Sequence, residues 1–270
     1  MDGAAAALLC SRTMESPFYS SSNARRAAGF LRDLLRSREL LLNLILKDIR
    51  VRYRYTAVGM LWAVLEPLAL MAVLAFVFAT VLGDRAGFAQ APGGAPYSVF
   101  LLTGLVFWQF TANALTHAAA AILDNRNLVQ KVRFPREVLP LSALGYPMLN
   151  WAIGFVLLLG LHLLLGGSLG PGVALMPFVF VLQLTMTAGL ALLLACGNVH
   201  YRDVGYILAV ALMLGFYATP ILYPSALLEG ASLPEWVRQA YFLNPMAGFI
   251  ETYRALLFGH PVSPAMVAWP

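Results

Sequence analysis

Residues that could carry out chemistry are sparse in this sequence of 270 residues. Neither of the two lysines, Lys47 and Lys131, follows a glycine, so the chain lacks the glycine-rich Gly-Lys-Ser/Thr loop that cradles ATP phosphates. Serine, cysteine and carboxylate side chains form no recognisable catalytic pattern. The histidines are scattered along the chain, at His117, His162, His200 and His260. We therefore expect a chain that is not an enzyme and that itself holds no cofactor or metal.

Three ionisable residues fall inside apolar stretches, where charged side chains are costly and often functional. They are Glu66, His117 and His162. One interpretation is that they line a polar pathway through a membrane. The other is that Glu66 lies near the membrane surface and that each histidine makes one hydrogen bond between helices. A proton-coupled carrier usually has more such groups, so the pattern disfavours that class.

Aromatic residues make up 12% of the chain, and several gather around the end of the fifth apolar segment. Such a cluster in a pore mouth could pack against the apolar faces of sugar rings. Tyrosine and tryptophan also collect at membrane interfaces without touching substrate. The candidate pathway or gate residues are Glu66, Trp108, Tyr217, Tyr223, Trp236 and Tyr241.

The composition requires a membrane to accommodate the chain. Hydrophobic residues make up 60% of it and charged residues 11%, whereas soluble domains have about 25% charged residues. A transmembrane helix needs about 20 apolar residues. The apolar runs predict an all-α polytopic protein with five transmembrane helices, at 58–82, 98–123, 138–165, 173–196 and 204–222, with Pro147 interrupting the third. Two short helices within 225–260 are expected to enter the bilayer from outside and turn back.

A basic, amphipathic segment precedes the first predicted span. Apolar residues recur at helical spacing from Phe30 to Ile49, and arginines and lysines occupy much of the remainder. This pattern favours a helix that lies in the membrane interface beside anionic headgroups. A surface helix on a soluble partner is the alternative. We therefore predict a tail with an interface helix, 1–57, and a transmembrane domain, 58–270.

Lys and Arg residues are unequally shared between the predicted loops. Ten of the 18 lie before residue 57, four in the loop 124–137, and Arg202 in the link 197–203. Arg85, Arg238 and Arg254 belong to the opposite side. Cytoplasmic loops carry such an excess. We therefore place the N-terminus, the loop and the link in the cytoplasm of a bacterium, with the protein in the inner membrane.

Five segments in order along the chain carry a family likeness: KDIRVRYRYTAVGMLWAVLEPLALM at 47–71, NRNLVQKVRFPREVLPL at 125–141, NVHYRDVGYIL at 198–208, TPILYP at 219–224 and LNPMAGFIETYR at 243–254. Together they resemble the membrane subunit of ABC-2 type polysaccharide exporters. The likeness is closest to O-antigen exporters, with teichoic acid and capsule exporters as near relatives.

The resemblance implies that two copies of this chain pair around a channel above two cytoplasmic ATPase subunits, which bind ATP and magnesium. A lipid-linked polysaccharide would enter lipid first and thread outwards, past an external gate formed after Pro224. The loop 124–137 would sit in a groove of the ATPase. The expected coupling residues are Asn127, Leu128, Val129, Lys131, Arg133, Phe134, Pro135 and Arg136, and those of the interface helix are Arg50, Arg52, Tyr53 and Arg54. The family's sixth span is expected to be missing, because the sequence stops where that span should begin.

Two other functions stay open at this point. An ABC-2 exporter of drugs or small lipids would need a smaller cavity. A membrane-embedded glycosyltransferase would need catalytic acids at a membrane face. Asp48, Asp124 and Asp203 stand singly beside basic residues, which disfavours the enzyme. No feature of the sequence indicates a nucleic-acid partner.

Overall fold

The computed structural model describes residues 37–54, 59–77, 96–132, 134–224 and 243–259. Within these ranges all regular elements are helical, as predicted. Short 3₁₀ helices, Gly59–Leu61 and Pro171–Leu175, precede α2 and α7. The α-helices are α1 (Arg38–Tyr53), α2 (Trp62–Ala75), α3 (Tyr97–Asp124), α4 (Arg126–Lys131), α5 (Val138–Ser142), α6 (Gly145–Leu164), α7 (Met176–His200), α8 (Val204–Ala218) and α9 (Pro245–Phe258).

Three helical stretches of the described chain are long and apolar enough to cross a bilayer. They are Tyr97–Asp124, Val138–Leu164 and Pro171–His200. The apolar helices α2 and α8 have 14 and 15 residues, which at 1.5 Å per residue is short of a hydrocarbon core of about 30 Å. The length and composition of the second, third and fourth predicted spans are therefore confirmed. The first and fifth stay predictions.

The break in the third span lies ahead of Pro147. Helix α5 ends at Ser142, a turn occupies Ala143 and Leu144, and α6 begins at Gly145. Pro147 lies in the first turn of α6, where a missing backbone N–H costs nothing. The prediction that Pro147 interrupts the span was therefore wrong.

Two further boundaries differ from the predictions. Helix α7 continues to His200, and its polar end is accommodated because Asn198 Nδ2 donates to Ala119 O at 2.8 Å. The predicted link 197–203 is thereby reduced to its last three residues. Helix α8 ends at Ala218, whereas the predicted span reached 222, because Pro220 disfavours helical geometry at Thr219.

The chain divides into two compact units, which are described separately. The first comprises Met1–Thr56, Asn113–Pro147 and Met186–Val210. Here α1 packs against α5, with Leu44 of α1 and Leu139 of α5 buried. Part of the predicted interface helix, 30–36, lies outside the described residues.

The second unit comprises Ala57–Ala112, Met148–Thr185 and Ala211–Pro270. Its core is built from large side chains, including the fully buried Phe107, Leu158 and Tyr253. Asn244 Oδ1 caps the start of α9 by accepting from Met246 N at 3.0 Å, and the helix ends at Phe258, just before Gly259, which has a φ of +73°. The described part of the predicted external segment thus contains one short helix. The prediction of a second short helix falls on residues outside the described ranges.

Candidate functional site

Arg52 joins α1 to the long helix α3 in the first unit. Its Nη1 lies 2.9 Å from Nε2 of His117. The guanidinium carbon of Arg52 also lies 4.1 Å from the ring centroid of Tyr146 in α6. The histidine therefore makes a hydrogen bond between helices, which was one of its two interpretations, and its partner is an arginine of the predicted interface helix.

Lys47 makes a second link from α1, to the junction between α3 and α4. Its Nζ donates to Asn125 Oδ1 at 2.9 Å, and Asn125 Nδ2 donates to Ala121 O, also at 2.9 Å. Asn125 precedes the first residue of α4. A single amide thus connects α1, the last turn of α3 and the start of the predicted coupling loop.

The predicted coupling loop contains a short helix followed by an extended residue, Val132. Asn127 and Lys131 of α4 are exposed, while Leu128 and Val129 are half-buried. After the loop, α5 returns to α1. Phe134, Pro135 and Arg136 are half-buried, and Arg133 lies outside the described residues.

Asp48 lies beside this set of contacts and is partly buried. Burial raises the pKa of its carboxyl above the ordinary value of 3.8, and Asp124 raises that pKa further, while Lys47 lowers it. Lys47 Nζ lies 3.8 Å from the carboxylate.

The predicted residues of the interface helix other than Arg52 have fewer described contacts. Arg50 and Arg54 are exposed, and the side chain of Tyr53 lies outside the described residues.

The predicted pathway residues of the second unit have different environments. Glu66 and Tyr217 are exposed, whereas Trp108 is only 9% exposed and packs edge-on against Phe216. Tyr223 OH donates to Tyr217 O at 3.2 Å, so these two tyrosines are brought together. Their contact with substrate stays a prediction. Trp236 and Tyr241 lie outside the described residues.

A buried polar network that the sequence analysis missed connects three helices of the second unit. Gln183 of α7 is fully buried; its Nε2 donates to Phe107 O and to Thr111 Oγ1, each at 2.9 Å. Tyr253 OH of α9 donates to Gln183 Oε1 at 2.8 Å. All three contacts lie inside apolar surroundings. The available signal was a lone amide in an otherwise apolar run.

An aromatic stack surrounds this network. Trp151 lies parallel to Phe180, with ring centroids 3.4 Å apart, and is also stacked on Phe155 at 5.3 Å. Phe107 is stacked on Tyr253. These contacts bury large rings from α3, α6, α7 and α9 against one another.

Arg254 is the second feature that the sequence analysis missed. Counting it as a topological charge placed it on the side opposite the cytoplasm, whereas the structure buries it in α9 with 3% exposure. The available signal was Glu251 one turn earlier, whose carboxylate lies 3.3 Å from Arg254 Nη1. A buried cation needs such partners because its desolvation is costly.

Comparison with known proteins agrees with the resemblance. The chain matches the ABC-2 type transporter family over residues 39–258. The O-antigen export system permease protein RfbA of Myxococcus xanthus is 35% identical over 234 residues, which is 85% of this chain and 84% of that protein. An RfbA of Klebsiella pneumoniae is 30% identical over 81% of this chain and 80% of its own length. The polysialic acid transport protein KpsM of Escherichia coli is 24% identical over 78% of each chain.

These matches cover most of the chain and most of each relative. The helical architecture, with three apolar helical stretches of membrane-spanning length, agrees with that of a multi-pass membrane protein. The chain therefore belongs to the ABC-2 type transporter family.

Proposed function

We propose that this chain is the transmembrane permease subunit of an ATP-driven exporter that moves an O-antigen-like, lipid-linked polysaccharide across the bacterial inner membrane. The observation that carries the proposal is the likeness to relatives named for O-antigen export and polysialic acid transport, which extends over about four fifths of each chain. Both names specify a polysaccharide cargo.

The proposal includes an orientation and a set of partners. The excess of Lys and Arg favours a cytoplasmic position for the N-terminus, for α4 and for the link after α7. A second copy of the chain completes the channel. Two cytoplasmic ATPase subunits bind ATP and magnesium and dock against the exposed face of α4.

The contacts of α1 support a route for mechanical coupling. Lys47 holds the start of α4 through Asn125, and α5, which follows the loop, packs on α1. A displacement of α4 by an ATPase is therefore passed to α1 instead of being absorbed in a loose loop. Arg52 then connects α1 to His117 in the long helix α3.

The proposal is tested by expressing this chain together with a candidate ABC ATPase subunit from the same genome, in cells that lack their own O-antigen exporter. We expect a complex with two copies of each subunit, ATP hydrolysis, and polysaccharide at the cell surface. An active complex that delivers no polysaccharide would overturn the proposed cargo and would favour small lipids or drugs. A folded, inserted chain that recruits no ATPase would overturn the proposed partnership.

The docking role of α4 has its own test. Arg126 and Lys131 are exposed at its two ends, and replacing both with Glu should prevent ATPase association while membrane insertion continues. Lys131→Arg keeps the charge and should retain the complex. Arg202→Glu reverses an exposed charge outside the loop and controls for net charge. Normal assembly and export by the double Glu variant would exclude α4 as the docking element.

A further inference from the structure

The four residues after α8 form buried, non-helical backbone. Thr219 and Ile221 are fully buried, Leu222 is 7% exposed, and Pro220 is also buried. Backbone carbonyls that leave a helix and stay away from water need other partners, or each costs free energy comparable to a lost hydrogen bond. The partners of this segment therefore identify the side chains that hold it in place.

Buried side chains from two helices bind three successive carbonyls of the segment. Arg254 Nη1 donates to Pro220 O, and Arg254 Nη2 donates to Ile221 O at 2.9 Å. Tyr97 OH donates to Leu222 O. Arg254 Nη2 also lies 3.3 Å from Phe100 O, so one guanidinium joins this segment to the start of α3.

The guanidinium is itself held tightly. Its central carbon lies 3.4 Å from the ring centroid of Phe100, and Glu251 supplies a carboxylate from the preceding turn of α9. A planar fork of donors suits several carbonyls at once, whereas the compact ammonium of lysine lacks this geometry. Gly104 leaves the necessary space, because a Cβ there would come within 3.2 Å of Arg254 Nη2.

Asn244 fixes the same segment from the other end of α9. Its Nδ2 donates to Thr219 Oγ1 at 2.9 Å, while its Oδ1 caps the helix. Thr219 Oγ1 in turn donates to Gly215 O at 2.7 Å in the last turn of α8. We call Tyr97, Asn244 and Arg254 the carbonyl clamp. Tyr97 and Arg254 bind carbonyl groups of the segment, and Asn244 binds the hydroxyl of Thr219.

We propose that the carbonyl clamp positions the end of α8 for transport, with Arg254 as its central positioning residue. The inference rests on the proposed export function. The clamp keeps residues 219–222 against α3 and α9 while substrate passes, so its release disrupts the route for cargo. ATP hydrolysis continues, because no clamp residue belongs to α1, to α4 or to the loop between α4 and α5.

The state of the clamp can be read with a cysteine reporter. Leu222→Cys is made in a chain whose Cys10 and Cys196 are serine, and the complex with its ATPase is treated with a maleimide in nanodiscs. We expect Tyr97→Phe to accelerate labelling about tenfold, which corresponds to about 1.4 kcal/mol for one lost buried hydrogen bond. Arg254→Lys should accelerate it at least as much, because the ammonium group cannot make all the contacts of the guanidinium. A second reporter, Leu158→Cys, replaces a fully buried residue of α6 in the same unit and should stay protected.

The two reporters separate local release from unfolding. If Arg254→Lys exposes both reporters, that variant has unfolded the unit. The clamp is then judged from Tyr97→Phe, which removes a single oxygen and leaves the ring. Protection of the 222 reporter in Tyr97→Phe and in a folded Arg254→Lys would overturn the clamp. Export that continues unchanged despite a labelled 222 reporter would overturn its role in transport.

The function of the clamp is read as export divided by ATP hydrolysis. We expect this ratio to fall several-fold in Arg254→Lys and less in Tyr97→Phe, relative to the same reporter chain. A parallel fall of both activities would indicate a merely structural role and would contradict the proposal. Labelling is measured without substrate, so it tests the clamp even in a parent chain that exports no polysaccharide. Such a parent chain would contradict the proposed function only.

Discussion

Arg52 Nη1 donates to His117 Nε2 at 2.9 Å while its guanidinium covers the ring of Tyr146. A guanidinium has no acceptor atom, so the imidazole must present a lone pair at Nε2 and carry its proton on Nδ1. One side chain of α1 therefore selects the tautomer of a histidine in α3. The contact needs a neutral ring and a planar cation together.

Replacing Arg52 with Ala should loosen α1, because it removes one hydrogen bond and one cation–π contact. We expect a loss of about 1 kcal/mol in unfolding free energy, measured as a lower thermal midpoint in detergent. Arg50→Ala is the matched control, since Arg50 is exposed on the same helix as Arg52 but takes part in neither of these two contacts. Equal midpoints for the two variants would contradict a structural role for the Arg52 contact.

Gly145→Ala should displace α1 from the start of α6. A Cβ at this position would lie 2.5 Å from Ile45 Cγ2, and such overpacking costs about 1–3 kcal/mol. The effect is measured as faster proteolysis of α1 and as weaker stimulation of the ATPase. Gly160→Ala is the control within α6, because nothing lies within 4 Å of its added Cβ. Ile45→Ala should partly restore the Gly145→Ala variant, and an absence of rescue would argue against this contact as the cause.

Gln183→Leu should destabilise the second unit, because Tyr253 OH loses its acceptor inside the protein. A buried polar group left unsatisfied costs about 1–3 kcal/mol. Tyr253→Phe removes the stranded hydroxyl, so the double variant should be more stable than the sum of the single effects predicts. A double-mutant cycle measures this coupling, which is expected to be about 1 kcal/mol between membrane helices. Strictly additive effects would contradict the network.

Asp48 should make stability depend on pH in the acid range. Because its folded pKa is raised above 3.8, the folded chain binds more protons there than the unfolded chain does. The free energy of unfolding therefore falls as the pH rises from about 3.8 to the raised pKa of Asp48. Above that pKa, this carboxyl causes no further change. Asp48→Asn should flatten that part of the profile, measured by thermal unfolding at a series of pH values. An unchanged profile would contradict the shift. Asp203→Asn, at an exposed carboxylate, is the control.

The long helix α3 was predicted within one residue at each end. Its apolar run is bounded by a Gly- and Pro-rich stretch on one side and by a polar stretch on the other, so composition alone marks both ends. The ends of α7 and α8 were not found in this way. His200 remains helical because Asn198 has a partner on α3, and that partner is 79 residues away in sequence.

Arg254 shows a different limit of sequence reasoning. Counting charges placed Arg254 on the side opposite the cytoplasm, because an unpaired cation inside an apolar structure is too costly. The carbonyls that offset this cost belong to residues 34, 33 and 154 positions away. No local pattern reports such a partnership. The family resemblance, in contrast, depended on five ordered segments and was confirmed.

The stacking of Trp151 gives the second unit an optical reporter of its own. Its indole Nε1 is buried and has no hydrogen-bond partner among the described residues, and its rings lie against Phe180 and Phe155. An indole in such dry surroundings fluoresces at shorter wavelength than a hydrated one. The sequence has five tryptophans, so replacing Trp62, Trp108, Trp236 and Trp269 with Phe leaves Trp151 as the only emitting indole. A red shift in the remaining emission would then follow the opening of the aromatic stack in real time, without an attached dye.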